Sequence, residues 1–208
     1  MSLSIEELIE TVNRKLAAQT IPSKTMLSRF MVNEESSRNS FAYTDPRYLP
    51  FFYYLGCQVQ PRSFVEFGIR LGLCSGPFFM SCKTVEHFLA FQKQTEAYYS
   101  LRLARRNIKQ FYKKEFLAHV GHLGDQQFLE AFKRRQWDLA AINDERSYDE
   151  YMSYLNLIWP QLSDDGLIIM DNTNYLKPAT KAYHDFCKIV GRKPLAFKSK
   201  YGIGIIQK

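Results

Sequence analysis

Apolar residues at positions 5, 8, 9, 12 and 16 recur at helical spacing, and Ser4 with Glu7 has the spacing of a capping box, so the chain is expected to open with an amphipathic helix. Ile21-Pro22 breaks that pattern. Met26, Leu27, Phe30 and Met31 predict a short second helix, and the polar stretch 33–46 reads as a loop. Residues 48–55, Tyr-Leu-Pro-Phe-Phe-Tyr-Tyr-Leu, are densely aromatic. From Ser63 the rhythm changes. Short apolar runs alternate with longer amphipathic stretches, the pattern of a parallel sheet joined by crossover helices. Strands are expected at 64–67, 87–91, 116–120, 138–142 and 167–170, and helices at 73–80, 95–114, 126–134, 148–162 and 179–190. Two short runs, 195–197 and 203–206, are close enough to pair antiparallel around Tyr201-Gly202. No internal repeat interrupts this order. The expected division is an N-terminal helical and aromatic extension, 1–58, followed by an α/β domain, 59–208.

Composition narrows the class. Of 208 residues, 46% are hydrophobic and 15% aromatic, enough for a substantial core. Cys57, Cys74, Cys82 and Cys187 form no C-x-x-C pair, which suits free thiols in a reducing compartment, so a cytoplasmic location is expected. No apolar run approaches the ~20 residues of a membrane span, and the first residues show no secretory signal. The net charge of +7 would suit an anionic partner such as nucleic acid. An ordinary basic surface is the favoured meaning, because net charge says nothing about a site.

Residues 63–76 carry the most chemistry. Glu66 closes an apolar run, Gly68 follows two residues later and Gly72 four after that, in the order strand, glycine turn, helix start. A dinucleotide site calls for G-x-G-x-x-G, so that backbone can close on a pyrophosphate. The spacing here is E-x-G-x-x-x-G. A carboxylate ahead of the turn suits a ligand that brings positive charge and hydroxyls, and a nicotinamide dehydrogenase is the least favoured enzyme class.

Several segments, in order, resemble the class I S-adenosylmethionine (SAM)-dependent methyltransferases. Val65-Glu66-Phe67-Gly68 through Gly72 is similar to the family's first motif, and Ala90 through Ala97 to the end of its second strand. Gly124-Asp125 resembles the Gly-Asp after the third strand. Asp138 through Tyr148 resembles D-L-x-x-I-D-G-D-H-S-Y, and Ser163 through Asn172 resembles L-K-P-G-G-x-I-V-x-D-D/N. Tyr201 through Ile206 resembles the reversed last strand. The resemblance implies a Rossmann-like, doubly wound α/β fold with a seven-stranded, mostly parallel sheet whose last strand is antiparallel. It implies SAM as cofactor, held by Glu66, Gly68, Arg70, Gly72, Gln92, Asp125 and Asn143, and methyl transfer to a small-molecule acceptor. Asp171 or Glu145 would serve as the general base.

Two positions depart from the family pattern. Gln92 stands where an acid usually holds both ribose hydroxyls, and its amide lacks charge assistance. Asn143 stands where the fourth strand usually ends in Asp, followed by Asp144-Glu145-Arg146 in place of Gly-Asp-His. Both motivate an alternative, a non-catalytic module on the same fold; a nucleic-acid methyltransferase is the third reading. Metal-dependent catechol-type members hold Mg²⁺ with Asp at the fourth strand end and Asp-Asn at the fifth. Asn143, Asp171 and Asn172 occupy the similar places, but one anionic ligand is lost, so a divalent metal is not favoured and Asp171 reads as a turn cap.

The remaining candidates have bland readings. His119 and His122 lack nearby cysteines and suit a structural role. Arg102, Arg106, Lys109 and Lys113, with Arg105 and Lys114, read as a solvated helix face before a phosphate-binding one. Tyr48, Phe51, Phe52, Tyr53 and Tyr54 could be a substrate lid, core, or the surface of a homodimer.

Overall fold

The computed structural model describes residues 4–18, 26, 28–30, 47–94 and 98–208. Leu27 and Met31 of the predicted second helix, the polar loop 33–46 and the first residues of the helix expected from Thr95 lie outside the described residues. The chain falls into two compact units, one of Met1–Gln60, Ile69–Val85 and Thr95–Glu115, the other of Pro61–Gly68, Glu86–Gln94 and Phe116–Lys208.

The first unit is helical. It holds α1 (Ile5–Ala18), α2 (Tyr48–Gln58), α3 (Ser75–Ser81) and α4 (Tyr98–Lys109). The capping box forms as predicted: the Ser4 N–H donates to Glu7 Oε2 at 2.8 Å, and the Glu7 N–H donates to Ser4 Oγ at 3.2 Å. Leu8, Val12 and Leu16 form the buried stripe of α1. The aromatic stretch is core: on α2 only Tyr53, Cys57 and Gln58 are not fully buried, and Ser81 Oγ donates to the Tyr53 carbonyl at 2.6 Å. Helix α4 stops at Lys109, short of the expected Lys114, because the N–H groups of Phe111 and Tyr112 both turn back to the Ile108 carbonyl. Tyr112 then stacks on Phe79 at 4.6 Å.

The second unit holds the entire sheet: β1 (Ser63–Phe67), β2 (His87–Lys93), β3 (Leu117–Gly121), β4 (Trp137–Ile142), β5 (Leu162–Asp171), β6 (Leu195–Phe197) and β7 (Ile203–Gln207), in the order β3-β2-β1-β4-β5-β7-β6. Strands β1 to β5 run parallel to one another, and β7 lies antiparallel to both β5 and β6. This is the expected doubly wound arrangement, with the order reversing between β1 and β4. Helices α5 (Gln126–Lys133), α6 (Tyr148–Ile158) and α7 (Lys177–Ile189) share one core with one face of the sheet. Its centre is Phe67, whose ring lies within 6.0 Å of Phe91, Phe128, Phe132 and Tyr154. All five residues of β1 are buried, as a central parallel strand requires.

Helix α6 is also shorter than its sequence suggests. It ends at Ile158, and Trp159–Gln161 form a 3₁₀ turn containing Pro160, which has no N–H to continue the ladder. Strand β5 therefore begins at Leu162, opposite Trp137. The Asp164-Asp165-Gly166 segment bulges out before the register resumes at Leu139 and Leu167.

Candidate functional site

The parallel ladder continues one residue past both central strands. The Asn143 N–H donates to the Phe67 carbonyl and the Gly68 N–H to the Phe91 carbonyl, each at 2.8 Å. Gly68 and Asn143 thus lie together at the C-terminal edge of the sheet, where strand order reverses and open α/β sheets bind ligands. Gly68 has φ +88°, and a Cβ there would stand 2.4 Å from the Asn143 carbonyl oxygen and 2.7 Å from Asp144 Cβ. Both the backbone angle and the crowding demand glycine.

Glu66 is completely buried. In register it lies between Ala90 and Ala141, whose small side chains leave room for a carboxylate. Strand alternation puts Glu66 on the face opposite the Phe67 core. Gln92 follows Ala90 by two residues, Asn143 follows Ala141 by two, and Asp171 follows Ile169, the partner of Ala141, by two. A row of polar groups therefore crowns this one face: Gln92 is 1% exposed, Asn143 6% and Asp171 3%.

The two other predicted residues of the sheet unit stand apart from this row. Asp125 belongs to the loop after β3, two strands from β1. Its Oδ2 accepts from the His122 N–H at 2.8 Å and lies 2.9 Å from His119 Nε2. The His119 contact first, then the His122 N–H, holds its carboxyl below the ordinary range. The pair spans Gly121, where a Cβ would meet Asp125 Oδ2 at 2.0 Å. Glu145 is exposed. Arg70 and Gly72 fall in the helical unit, both with positive φ, in a turn tied to α4 by Asn107 Nδ2 donating to the Leu71 carbonyl at 2.9 Å.

The sequence reading missed the most heavily buried charges. Asp144 forms an ion pair with Arg146, and their side chains are 0% and 7% exposed. Arg146 Nε donates to Tyr154 Oη at 3.2 Å and Nη1 to the Glu145 carbonyl at 3.0 Å; Tyr151 Oη donates to the Asp144 carbonyl at 2.6 Å. Burial raises both phenols, Tyr154 to about 12, with Asp144 contributing. The only hint was the charged run Asp144-Glu145-Arg146 after Asn143, which reads equally well as a solvated turn. Asn172 and Thr173, each 1% exposed, were also missed as a pair. Asn172 has φ +64°, and neither Asn172 Oδ1 nor Thr173 Oγ1 has a hydrogen-bond partner among the described residues. Asp171 Oδ1 accepts from the Asn172 N–H at 2.7 Å. Among the described residues no group of three or more His, Cys, Asp and Glu is arranged to hold a metal, and no helix is long and apolar enough to cross a membrane.

No family model and no curated protein matches the chain. Solved structures do. A methyltransferase of Podospora anserina with S-adenosylhomocysteine (SAH) bound superposes with a TM-score of 0.63 at 13% identity, covering 99% of this chain and 97% of the other. The O-methyltransferase of Bacillus cereus in complex with SAH gives 0.56 at 14% identity, over 99% and 93%. TomG of Streptomyces achromogenes, an O-methyltransferase of tomaymycin synthesis in complex with SAM, gives 0.55 at 13% identity, over 98% and 90%. The chain has the class I methyltransferase fold.

Proposed function

We propose that the chain binds SAM at the C-terminal edge of β1 and β4 and transfers its methyl group to a small-molecule acceptor. The observation that carries this reading is Glu66, fully buried two residues before a glycine that excludes any side chain, at the switch point of a fold shared with SAH-bound methyltransferases. The residues fit the cofactor. Glu66 is an acceptor for an ammonium or hydroxyl group, Gly68 leaves the backbone open, and the buried oxygens of Asn172 and Thr173 await donors. Gln92 is the candidate for the ribose, Asp125 and Asn143 for the adenine end, and Arg70 and Gly72 for the turn. When bound, the cofactor supplies a methyl group activated on a sulfonium. The chain's own task is to hold the acceptor in line and keep water out. Asp171, buried at the strand end, is the first candidate to take the acceptor's proton, and Glu145 the second.

A divalent metal does not fit as well. Asn143, Asp171 and Asn172 offer one carboxylate and two amides, a poor match to the oxygen-rich anionic set a hard cation prefers. Titration calorimetry with SAH tests the reading: one site of micromolar affinity is expected, weakened at least tenfold in Glu66→Gln. Silence with both SAM and SAH at millimolar concentration overturns it. The non-catalytic reading, motivated by Gln92 and Asn143, gains if SAH binds and no acceptor in a broad panel is methylated.

A further inference from the structure

Residues 102–115 hold six of the chain's 28 Lys and Arg and one of its 21 acids, a local net charge of +5 out of +7. The fold gathers most of this charge on one face. Arg102, Arg105, Arg106 and Lys109 of α4 fall within about 100° of the helix circumference and span about 10 Å of its length. On the opposite side Ala104, Asn107 and Ile108 are fully buried, and the three arginines are exposed. The turn after the helix prolongs the row. Lys113 Nζ donates to the Lys109 carbonyl at 3.0 Å, and Lys109 Nζ donates to the Lys114 carbonyl at 3.1 Å. Five cations thus line α4 and its closing turn.

Stability does not explain this arrangement. Arg102 with Arg105 and Arg106, and Lys109 with the same two, are like-charge neighbours at three- and four-residue spacing, which weakens a helix. The macrodipole favours Arg106 and Lys109 in the last turn, but neither Arg102 nor Arg105. A solvated face usually interleaves acids with bases. Helix α4 has no acid, and Glu115, which follows it and pairs with Lys109 at 2.6 Å, has its side chain 93% exposed, where an ion pair is weak. A surface of one sign is matched by a partner of the other. An anionic membrane fits poorly, because a helix lying in a bilayer interface needs a free apolar face and that of α4 is spent on the core. A folded protein docks around an apolar or aromatic centre, which a row of cations does not supply. Arginines, planar and always charged, suit phosphate oxygens.

We propose that α4 and its closing turn are a docking surface for a nucleic acid, gripped by its phosphates and indifferent to base sequence. The phosphodiester backbone is common to RNA and DNA, and the experiment separates them. The proposal does not rest on the cofactor reading: the row of cations is there with or without SAM.

The experiment is fluorescence anisotropy of the full chain with labelled mixed-sequence strands of about 20 nucleotides, as single-stranded RNA, single-stranded DNA and duplex DNA, between about 50 and about 300 mM KCl. At least one probe should bind, and the tightest names the source. For five neutralised phosphates, log K should fall against log[KCl] with a slope of about −3.5 on a single strand or about −4.5 on a duplex. Arg102→Gln/Arg105→Gln/Arg106→Gln should bind at least about tenfold more weakly at about 100 mM KCl, with a slope shallower by about 2 to 3. Its melting midpoint should be no lower than that of the wild type, since repulsion has been removed. Lys188→Gln/Arg192→Gln/Lys193→Gln takes the same charge from three exposed positions at and just past the end of α7, and should stay within about threefold of the wild type. If this variant weakens binding as much as the α4 variant, net charge alone is at work and the proposal falls. It falls also if no probe binds at about 50 mM KCl, or if vesicles rich in phosphatidylserine bind through α4 and no nucleic acid does. Should the α4 triple variant not fold, Arg102→Gln decides: a slope shallower by about 1 upholds the docking surface, and an unchanged slope overturns it.

Discussion

The two ends of β4 treat polar groups in opposite ways. At the start, Asp138 is saturated. Its Oδ2 accepts from the N–H groups of Arg62 and Ser63 at 2.8 and 3.0 Å, its Oδ1 from Ser163 Oγ at 2.9 Å, and its own N–H donates to Ser63 Oγ at 2.9 Å. These bonds clasp the entry of β1, the entry of β4 and the bulge of β5. Past the other end, Asn143, Asp144, Asp171, Asn172 and Thr173 are all nearly inaccessible, and the Asn172 and Thr173 side-chain oxygens have no hydrogen-bond partner among the described residues. A fold ordinarily satisfies its buried polar groups. The end that does so is built for stability, and the unpartnered Asn172 and Thr173 oxygens at the other are part of the reason the cofactor site is proposed there.

Substitutions can break this contrast, and the largest effect should come from the C-terminal end of β4. Asp144→Ala strands a buried guanidinium and should cost about 3–5 kcal/mol in urea denaturation. Gly68→Ala forces a side chain at φ +88° into the Asn143 carbonyl and should cost about 3 kcal/mol and abolish SAH binding in calorimetry. Asp138→Ala sharpens the comparison from the other side. It should cost about 2 kcal/mol through orphaned donors, yet leave SAH affinity within twofold. The smallest effect is at Glu150, which closes the capping box of α6 and pairs with Lys93. The Lys93 bond, aided by Ser147, lowers its pKa from 4.5 to about 2. A depressed carboxylate contributes stability above its unfolded pKa and loses it as pH falls through the folded one. Glu150→Gln should therefore cost about 0.5 kcal/mol near neutral pH, the pair being partly exposed, and flatten the acid limb of stability between pH 4.5 and 2.

The fold was more legible in the chain than the site. The central strands β1, β2 and β4 and the second half of β5 announced themselves because a parallel strand buried on both faces is a short unbroken apolar run, and Gly68 announced the turn because few other residues tolerate its backbone. Element ends were less clear. The end of α6 was hidden because Tyr148 through Leu162 keeps helical spacing, while the strand partner that claims Leu162 is Trp137, distant in sequence. The charges after Asn143 were hidden for a similar reason. Asp144, Glu145 and Arg146 look alike as a polar turn, yet tertiary contacts with Tyr151 and Tyr154 bury the first and third and leave the second exposed. Composition cannot choose among three adjacent charges; only the packing around them can.

Strand β7 follows every other strand in the sequence but lies inside the sheet, with β5 on one side and β6 on the other. Tyr183 on α7 braces this corner, its hydroxyl bonded to the carbonyls of Leu195 and Ile205. A chain emerging from the ribosome can thus assemble β1 to β5 while one flank still lacks its partner. Until residues 203–207 arrive, the β5 edge is an open template for any passing strand. The interval before β7 docks is when this protein is most exposed to mispairing, and when a nascent-chain chaperone has most to protect.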